Sequence, residues 1–358
     1  MDRRRKREAD LVVIGSGLVP LMTSALAADI GMRVVHYRPT ARHSSPDHDW
    51  FHSGLLLEAD VPTAMLMRVW GRNMLRRFGM RPASEPGVFL ARTEEAAEAL
   101  KRSAAERAVR FHELEDHEAA LITGPHFSPS RSFAVPDATF DKRALSAIAH
   151  VCCLSGGVSV VDLDSSETIS LLPCDTAAGG YLVQTTRELA EGAVTILADG
   201  AMIPALIEPL GIGHPLAVHR SPLISIAEPP GLRAGLLVDL DRGLSYVRHD
   251  PGGAASASYT VARTRCPADQ GESISEWEPP TMRPSQAPRR KTVAVAYEVE
   301  VAEVRGQPDA VPWIHEFKRE GFPGLVAAVT NVANLALWTA AQVMKIVNPP
   351  SRIDTGSG

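Results

Sequence analysis

Residues 10–39 read DLVVIGSGLVPLMTSALAADIGMRVVHYRP. Leu11–Ile14 is a continuous apolar run rich in β-branched residues, the pattern of a strand buried on both faces. Gly15-Ser16-Gly17 supplies a tight turn. Leu18, Leu21, Met22, Ala25 and Leu26 then recur at helical spacing, and Gly31 is a stop signal. Arg33–Tyr37 reads as a second strand. The stretch is therefore a βαβ unit whose first turn sets two glycines at a helix N-terminus. Free backbone N–H groups and the helix dipole favour a dinucleotide pyrophosphate there. Gly15, Ser16 and Gly17 are accordingly the first candidate cofactor residues.

Two positions depart from the G-x-G-x-x-G fingerprint. The third glycine is Pro20. A helix first turn tolerates proline, because the N–H it lacks has no intrahelical partner there, but the ring fills space where helix and strand meet. The acid expected about 20 residues on, for the ribose hydroxyls, is Arg38. A guanidinium cannot accept a hydrogen bond. Arg38 could contact a phosphate, and with Arg42 it leaves open a site for a phosphorylated nucleotide. Arg3-Arg4-Arg5 ahead of the apolar run has the look of a twin-arginine export signal. Glu8 and Asp10 interrupt the charged region and Gly15 and Gly17 break the apolar run, so a solvated basic tail is expected instead.

The chain has 358 residues, above the size at which one hydrophobic core splits, so two lobes are expected. An apolar content of 45% with 22% charged residues describes an ordinary soluble chain, and a net charge of −5 gives no general attraction to nucleic acid. Cys152, Cys153, Cys174 and Cys266 show neither metal-ligand nor disulfide spacing, which points to a reducing, cytoplasmic setting.

Residues 40–60 read as a loop, TARHSSPDHDWFHSGLLLEAD. Helices are expected over Val61–Gly79, Thr93–Ala108, Asp116–Ile122, Asp141–Leu154 and Ala201–Leu210. Short strands are expected at Val158–Val161, Ile169–Leu172, Tyr181–Thr185 and Val194–Ala198. Strand-like runs then dominate at Leu216–Ala227, Leu236–Leu240, Leu244–Arg248, Ser256–Ala262 and Thr292–Val304, a series that predicts an antiparallel sheet. Residues 264–291, rich in Pro, Ser and Arg, read as a long loop. Gly324–Val347 is apolar with no charge before Lys345. Asn331, Asn334, Thr339 and Gln342 would be costly in lipid, so a buried C-terminal helix is expected rather than a membrane span.

The order of these elements resembles the D-amino-acid-oxidase family of FAD-dependent oxidoreductases. The N-terminal βαβ carries part of the likeness. Ser44–Leu55 resembles the family's serine-rich "NQGWLHSGL"-type flavin loop. Phe133–Ala138 with Phe140-Asp141 is similar to the "vPDg..Dp" entry to its middle helix. Thr195–Ala201 is similar to the "VVlAaGa" strand that returns under the flavin. Tyr246-Val247-Arg248 resembles "yvrP", and Arg305–Pro312 resembles "RPvpaDGlP". The resemblance spans nearly the whole chain. It implies a Rossmann-like FAD-binding lobe and an antiparallel-sheet substrate lobe, both α/β. The first is assigned residues 1–80, 138–215 and 318–358, the second 81–137 and 216–317.

The resemblance further implies non-covalent FAD, since no cysteine stands at an obvious covalent position, and a small amino acid, amine or hydroxy acid losing a hydride from a C–N or C–O bond. Ser44, Ser45, His52, Ser53, Gly54 and Gly200 join Gly15, Ser16, Gly17 and Arg38 as cofactor candidates. Arg248 and Arg305 are candidates for a substrate carboxylate, which a planar guanidinium binds bidentately, with Tyr246 offering a hydroxyl nearby. His48 and His52, four apart, have metal-like spacing, but Pro46 and Gly54 mark a loop and no third ligand is defined, so no metal is expected. Several residues depart from the family pattern. Asp47 and Asp49 replace Asn and Gly, Asp199 adds a carboxylate, and the turn before the last helix reads Thr330-Asn331-Val332-Ala333 without its glycine. The competing expectation is a diverged scaffold or subunit with weak or no flavin binding and a protein partner or second copy in place of catalysis.

Overall fold

The computed structural model describes residues 5–39, 50–56, 60–82, 86–123, 131–164, 166–174, 180–200, 202–227, 233–249, 258–263, 291–301, 312–330 and 332–348. The first elements are β1 (Arg5–Ile14), α1 (Leu18–Asp29), β2 (Val34–Pro39), β3 (Trp50–Phe51), α2 (Val61–Arg77), β4 (Gly87–Ala91) and α3 (Glu94–Glu106). Next come β5 (His112–Leu114), α4 (Asp116–Thr123), β6 (Arg131–Val135), β7 (Ala138–Thr139), α5 (Lys142–Ser155), β8 (Ser159–Leu163), β9 (Ile169–Pro173), β10 (Tyr181–Thr185) and β11 (Glu188–Leu197). α6 (Ile203–Ile207), β12 (Leu216–Ala227), β13 (Leu236–Asp239), β14 (Leu244–His249), β15 (Ser258–Arg263) and β16 (Lys291–Val301) follow. The last are β17 (Trp313–Glu316), β18 (Leu325–Val329) and α7 (Ala336–Val347).

One sheet has the order β17-β18-β11-β1-β2-β8, with β10 and β9 added on the β11 side. From β18 to β8 every neighbouring pair is parallel. Leu11, Val12, Val13 and Ile14 are fully buried at its centre. Leu11 and Val13 pack with α1, α5 and α7 on one face, and Val12 and Ile14 with Tyr37, Leu197 and Ile203 on the other. Each such side chain contributes roughly 1.5–3 kcal/mol through burial, so the run read as a two-sided strand anchors this lobe. The second sheet runs β16-β12-β15-β14-β13-β4-β6-β5 and is antiparallel except at β13–β4. The fold is thus α/β, a Rossmann-like sheet beside a largely antiparallel one.

Two expectations give way. Of the Arg3-Arg4-Arg5 run expected as a basic tail, Arg3 and Arg4 lie outside the described residues, and Arg5 is not in a tail: β1 begins there, with β11 offering Glu188 and Glu191 alongside. Arg7 bonds Glu188 (Nε–Oε2 2.9 Å) and Lys6 bonds Glu191 at 2.6 Å. Residues 324–347 are not one helix. Leu325–Val329 pairs in parallel with β11, and only Ala336–Val347 is α-helical. No helix among the described residues is long and apolar enough to cross a membrane. The expected loop over 264–291 lies outside the described residues, apart from Lys291 in β16.

Candidate functional site

In a parallel sheet ligands bind beyond the carboxyl ends of the strands, where the connections diverge. Here β1 leads to β2 on one side while β11 lies on the other, so the crevice opens beyond Ile14 and Leu197. Gly15 has φ +153°, and a Cβ there would come within 2.9 Å of the Ala198 backbone. Ala198 N–H donates to the Ile14 carbonyl at 2.8 Å, so the two turns are fastened together. Gly17 caps α1 without a side-chain hydrogen bond, and a Cβ on it would meet nothing within 4 Å among the described residues. Pro20 sits in the first turn of α1, as a proline can. Ser16 Oγ–H donates to Asp199 Oδ2 at 3.0 Å, and Gly200 follows, half-buried.

The end of β2 is more charged than a ribose site calls for. Arg38 forks onto Asp162 of β8, Nε–Oδ1 2.5 Å and Nη2–Oδ2 3.0 Å. The guanidinium that could have met a phosphate is therefore engaged, and it holds the Asp162 carboxyl below the usual range. Two residues earlier, His36 is fully buried. Its partner Gly15 O can only accept, so Nε2 carries the proton in the 2.8 Å bond, and Nδ1 has no partner among the described residues. Burial holds its pKa down at about 4, so the ring is neutral at physiological pH. A neutral histidine thus fixes the Gly15 carbonyl from below.

The 50–56 loop is held by buried polar groups that the sequence reading did not single out as site residues. Trp50 Nε1–H donates to Asp137 Oδ2 (2.8 Å), and Ser53 N–H donates to Asp137 Oδ1 (3.1 Å). His52 N–H donates to Asn334 Oδ1 (3.2 Å), and Asn334 Nδ2–H donates to His52 O (2.7 Å). Burial pushes the Asp137 carboxyl up to about 6 against those two donors. The His52 ring stacks on Trp50 with centroids 4.1 Å apart. Gly54, at φ +95°, lies where a Cβ would come within 2.7 Å of Ala64 Cβ on α2, and the Phe51 ring covers Gly71 of the same helix. Ser53 Oγ is buried with no hydrogen-bond partner among the described residues. The signal for Asp137 and Asn334 was their polarity inside apolar stretches, but their burial is a tertiary property.

On β14, Tyr246 and Arg248 share one face, as strand alternation requires. That face also carries Leu237 and Val88, with which Tyr246 packs at 4% exposure. The opposite face carries Val247, Leu236 and Phe89 and receives Trp50 and Leu55. Burial and the nearby Asp239 carboxylate push the Tyr246 hydroxyl up to about 12, so it is a neutral group in the core. Arg248 is half-buried. Arg305, Ser44 and Ser45 lie outside the described residues, as does His48; among the described residues no cluster of metal-ligating groups occurs.

No family model and no curated protein matches the chain. Solved structures do. NikD, an unusual amino acid oxidase essential for nikkomycin biosynthesis, superposes with TM-score 0.70 at 17% identity, over 96% of this chain and 94% of that one. An L-amino acid deaminase from Proteus vulgaris, with its specific insertion sequence deleted, gives 0.71 at 15% identity over 97% and 91%. Glycine oxidase from Geobacillus kaustophilus gives 0.67 at 16% identity over 95% of each chain. The fold is that of the amino acid oxidases. The likeness to the D-amino-acid-oxidase family read from the sequence therefore holds for the architecture. FAD, the cofactor that likeness implies, fits the backbone of this amino-acid-oxidase fold at two points. The uncapped α1 N-terminus with open space at Gly17 suits a pyrophosphate, and the orphaned Ser53 hydroxyl can donate to a ligand beside the 50–56 loop. Asp199 is the discordant group.

Proposed function

We propose that the protein is an FAD-dependent oxidoreductase that takes a hydride from the C–N bond of a small amino acid or amine, with FAD held non-covalently. The observation that carries this reading is the glycine turn at the switch point, with an uncapped helix N-terminus and no Cβ at Gly17. The amino acid oxidase, deaminase and glycine oxidase that share the fold support a C–N substrate. Bound there, FAD would supply the hydride acceptor.

The chain's own residues would bind and orient. Ser16 and Gly17 would cradle the pyrophosphate with backbone N–H groups, with Gly200 beside them, while Gly15, whose N–H donates to the Tyr37 carbonyl at 3.0 Å, would supply only the close approach of the turn. Ser53, on a loop fixed by Asp137 and Asn334, would donate its free hydroxyl to the ligand, and the Ser44-Ser45 stretch leads into that loop. Arg248 would clasp the substrate carboxylate through its fork, with Arg305 the next candidate. Cysteines in no paired spacing support a cytoplasmic setting. Anaerobic mixing of the flavin-loaded protein with a panel of amino acids tests the reading: it expects one of them to bleach the flavin, and a flavin left oxidised by every one contradicts it.

A second reading has its own observation. The Arg38–Asp162 pair at the ribose end, Asp199 at the phosphate turn and a buried Ala333 Cβ where the family has glycine all favour a relative that kept the scaffold and binds flavin weakly, acting through a protein partner or a second copy.

A further inference from the structure

We infer that Asp199 sets the affinity for the dinucleotide, acting as a built-in anion at the place where the pyrophosphate must enter. The inference rests on the flavin reading above and deepens it. The carboxylate is held in place. Its own backbone carbonyl accepts from Met202 N–H (2.9 Å) and Ile203 N–H (3.1 Å), and the preceding Ala198 N–H is bonded to Ile14 O. Its side chain takes the Ser16 hydroxyl at 3.0 Å, one residue before the α1 N-cap. A helix N-terminus attracts negative charge. Here α1 has no acidic residue in its first turn and no side-chain cap, and among the described residues Asp199, bonded to Ser16, brings a negative charge to its mouth. Two effects follow for an incoming pyrophosphate. It meets a like charge, and the Ser16 hydroxyl that could have donated to it is already committed.

Asp199→Asn isolates this role, because the amide oxygen can still accept from Ser16 while the charge is gone. Isothermal titration with FAD and, separately, with ADP compares the wild type with this variant. The expected result is binding at least tenfold tighter in Asp199→Asn for both ligands, with the gap narrowing as salt is raised, since exposed charges are screened. Equal or weaker FAD and ADP binding by the variant, with a measurable wild-type affinity, overturns the inference and leaves the flavin reading standing. ADP tightening without any FAD binding upholds the role of Asp199 and overturns the flavin reading. No binding of either ligand by either protein overturns both. Asp199→Ala, checked for an unchanged thermal transition, serves the same test where the Asn variant does not fold.

Discussion

Two turns of this molecule are built by opposite means. The 50–54 loop is held from within: Asp137 takes two of its N–H groups, Asn334 answers both backbone groups of His52, and only the Ser53 hydroxyl among them is left open. The glycine turn after β1 is fixed by His36 and Ala198 from behind, yet the helix end it leads into has no cap and faces a carboxylate. The difference separates what holds the scaffold from what would hold a ligand. Groups that complete the fold are buried and paired, and groups that would meet a ligand are left with open valence or with charge of their own.

The largest expected effect breaks the first region alone. Asn334→Ala removes the partner of both the His52 N–H and the His52 C=O at a partly buried site, and at about 1–3 kcal/mol for each stability should fall by about 2–6 kcal/mol. Chemical denaturation measures this. ADP affinity should stay as it was; a parallel loss of ADP binding would show that the two turns are not separate.

The pH dependence of stability sharpens the contrast, because each region contains one buried titratable group. Asp137 titrates near 6 when folded against an ordinary 3.8, so the folded state binds that proton more tightly and its contribution is lost as pH rises from about 4 to 6. His36 titrates near 4 against 6.5, so its contribution runs the other way and is lost as pH falls from about 6.5 to 4. The two contributions oppose each other across this window. The wild-type denaturation midpoint should therefore change less between pH 4 and 6.5 than that of a variant lacking one of the two groups. Asp137→Asn should show a midpoint rising with pH across that window. A flat profile in the variant would mean that His36 is not held neutral by burial as described.

A smaller effect concerns the substrate side. Arg248→Ala should raise KM by about tenfold to a hundredfold, the loss of one charge-assisted pair worth roughly 1.5–3 kcal/mol, and leave the bound flavin content unchanged. Unchanged kinetics would move the role to Arg305. The smallest effect belongs to Arg38→Ala. The Arg38–Asp162 pair is largely exposed, and such pairs contribute about 0–1 kcal/mol, so the melting temperature should barely move. A large drop would show that the pair fastens β2 to β8.

The glycine turn was legible in the sequence, and the 50–54 loop only in outline. Leu11–Ile14 and the G-S-G turn report a buried strand and a phosphate-type turn through local pattern alone. Arg5–Ala9 did not read as strand, because its charges are explained only by Glu188 and Glu191 across the ladder. Residues 325–347 are apolar throughout, so no change of period marks where strand gives way to helix. Asp137 was visible only within Phe133–Ala138, the stretch similar to the family's entry to its middle helix, and its role depends on Trp50 and Ser53, more than eighty positions away.

Titration of the purified protein with FAD tests the central claim most directly. The account predicts a flavin absorption spectrum on the protein, or one acquired on adding FAD, with a melting temperature that rises as FAD is added, because a ligand that binds the native state must stabilise it. A colourless protein whose melting temperature does not move at any FAD concentration would contradict it and leave the scaffold reading.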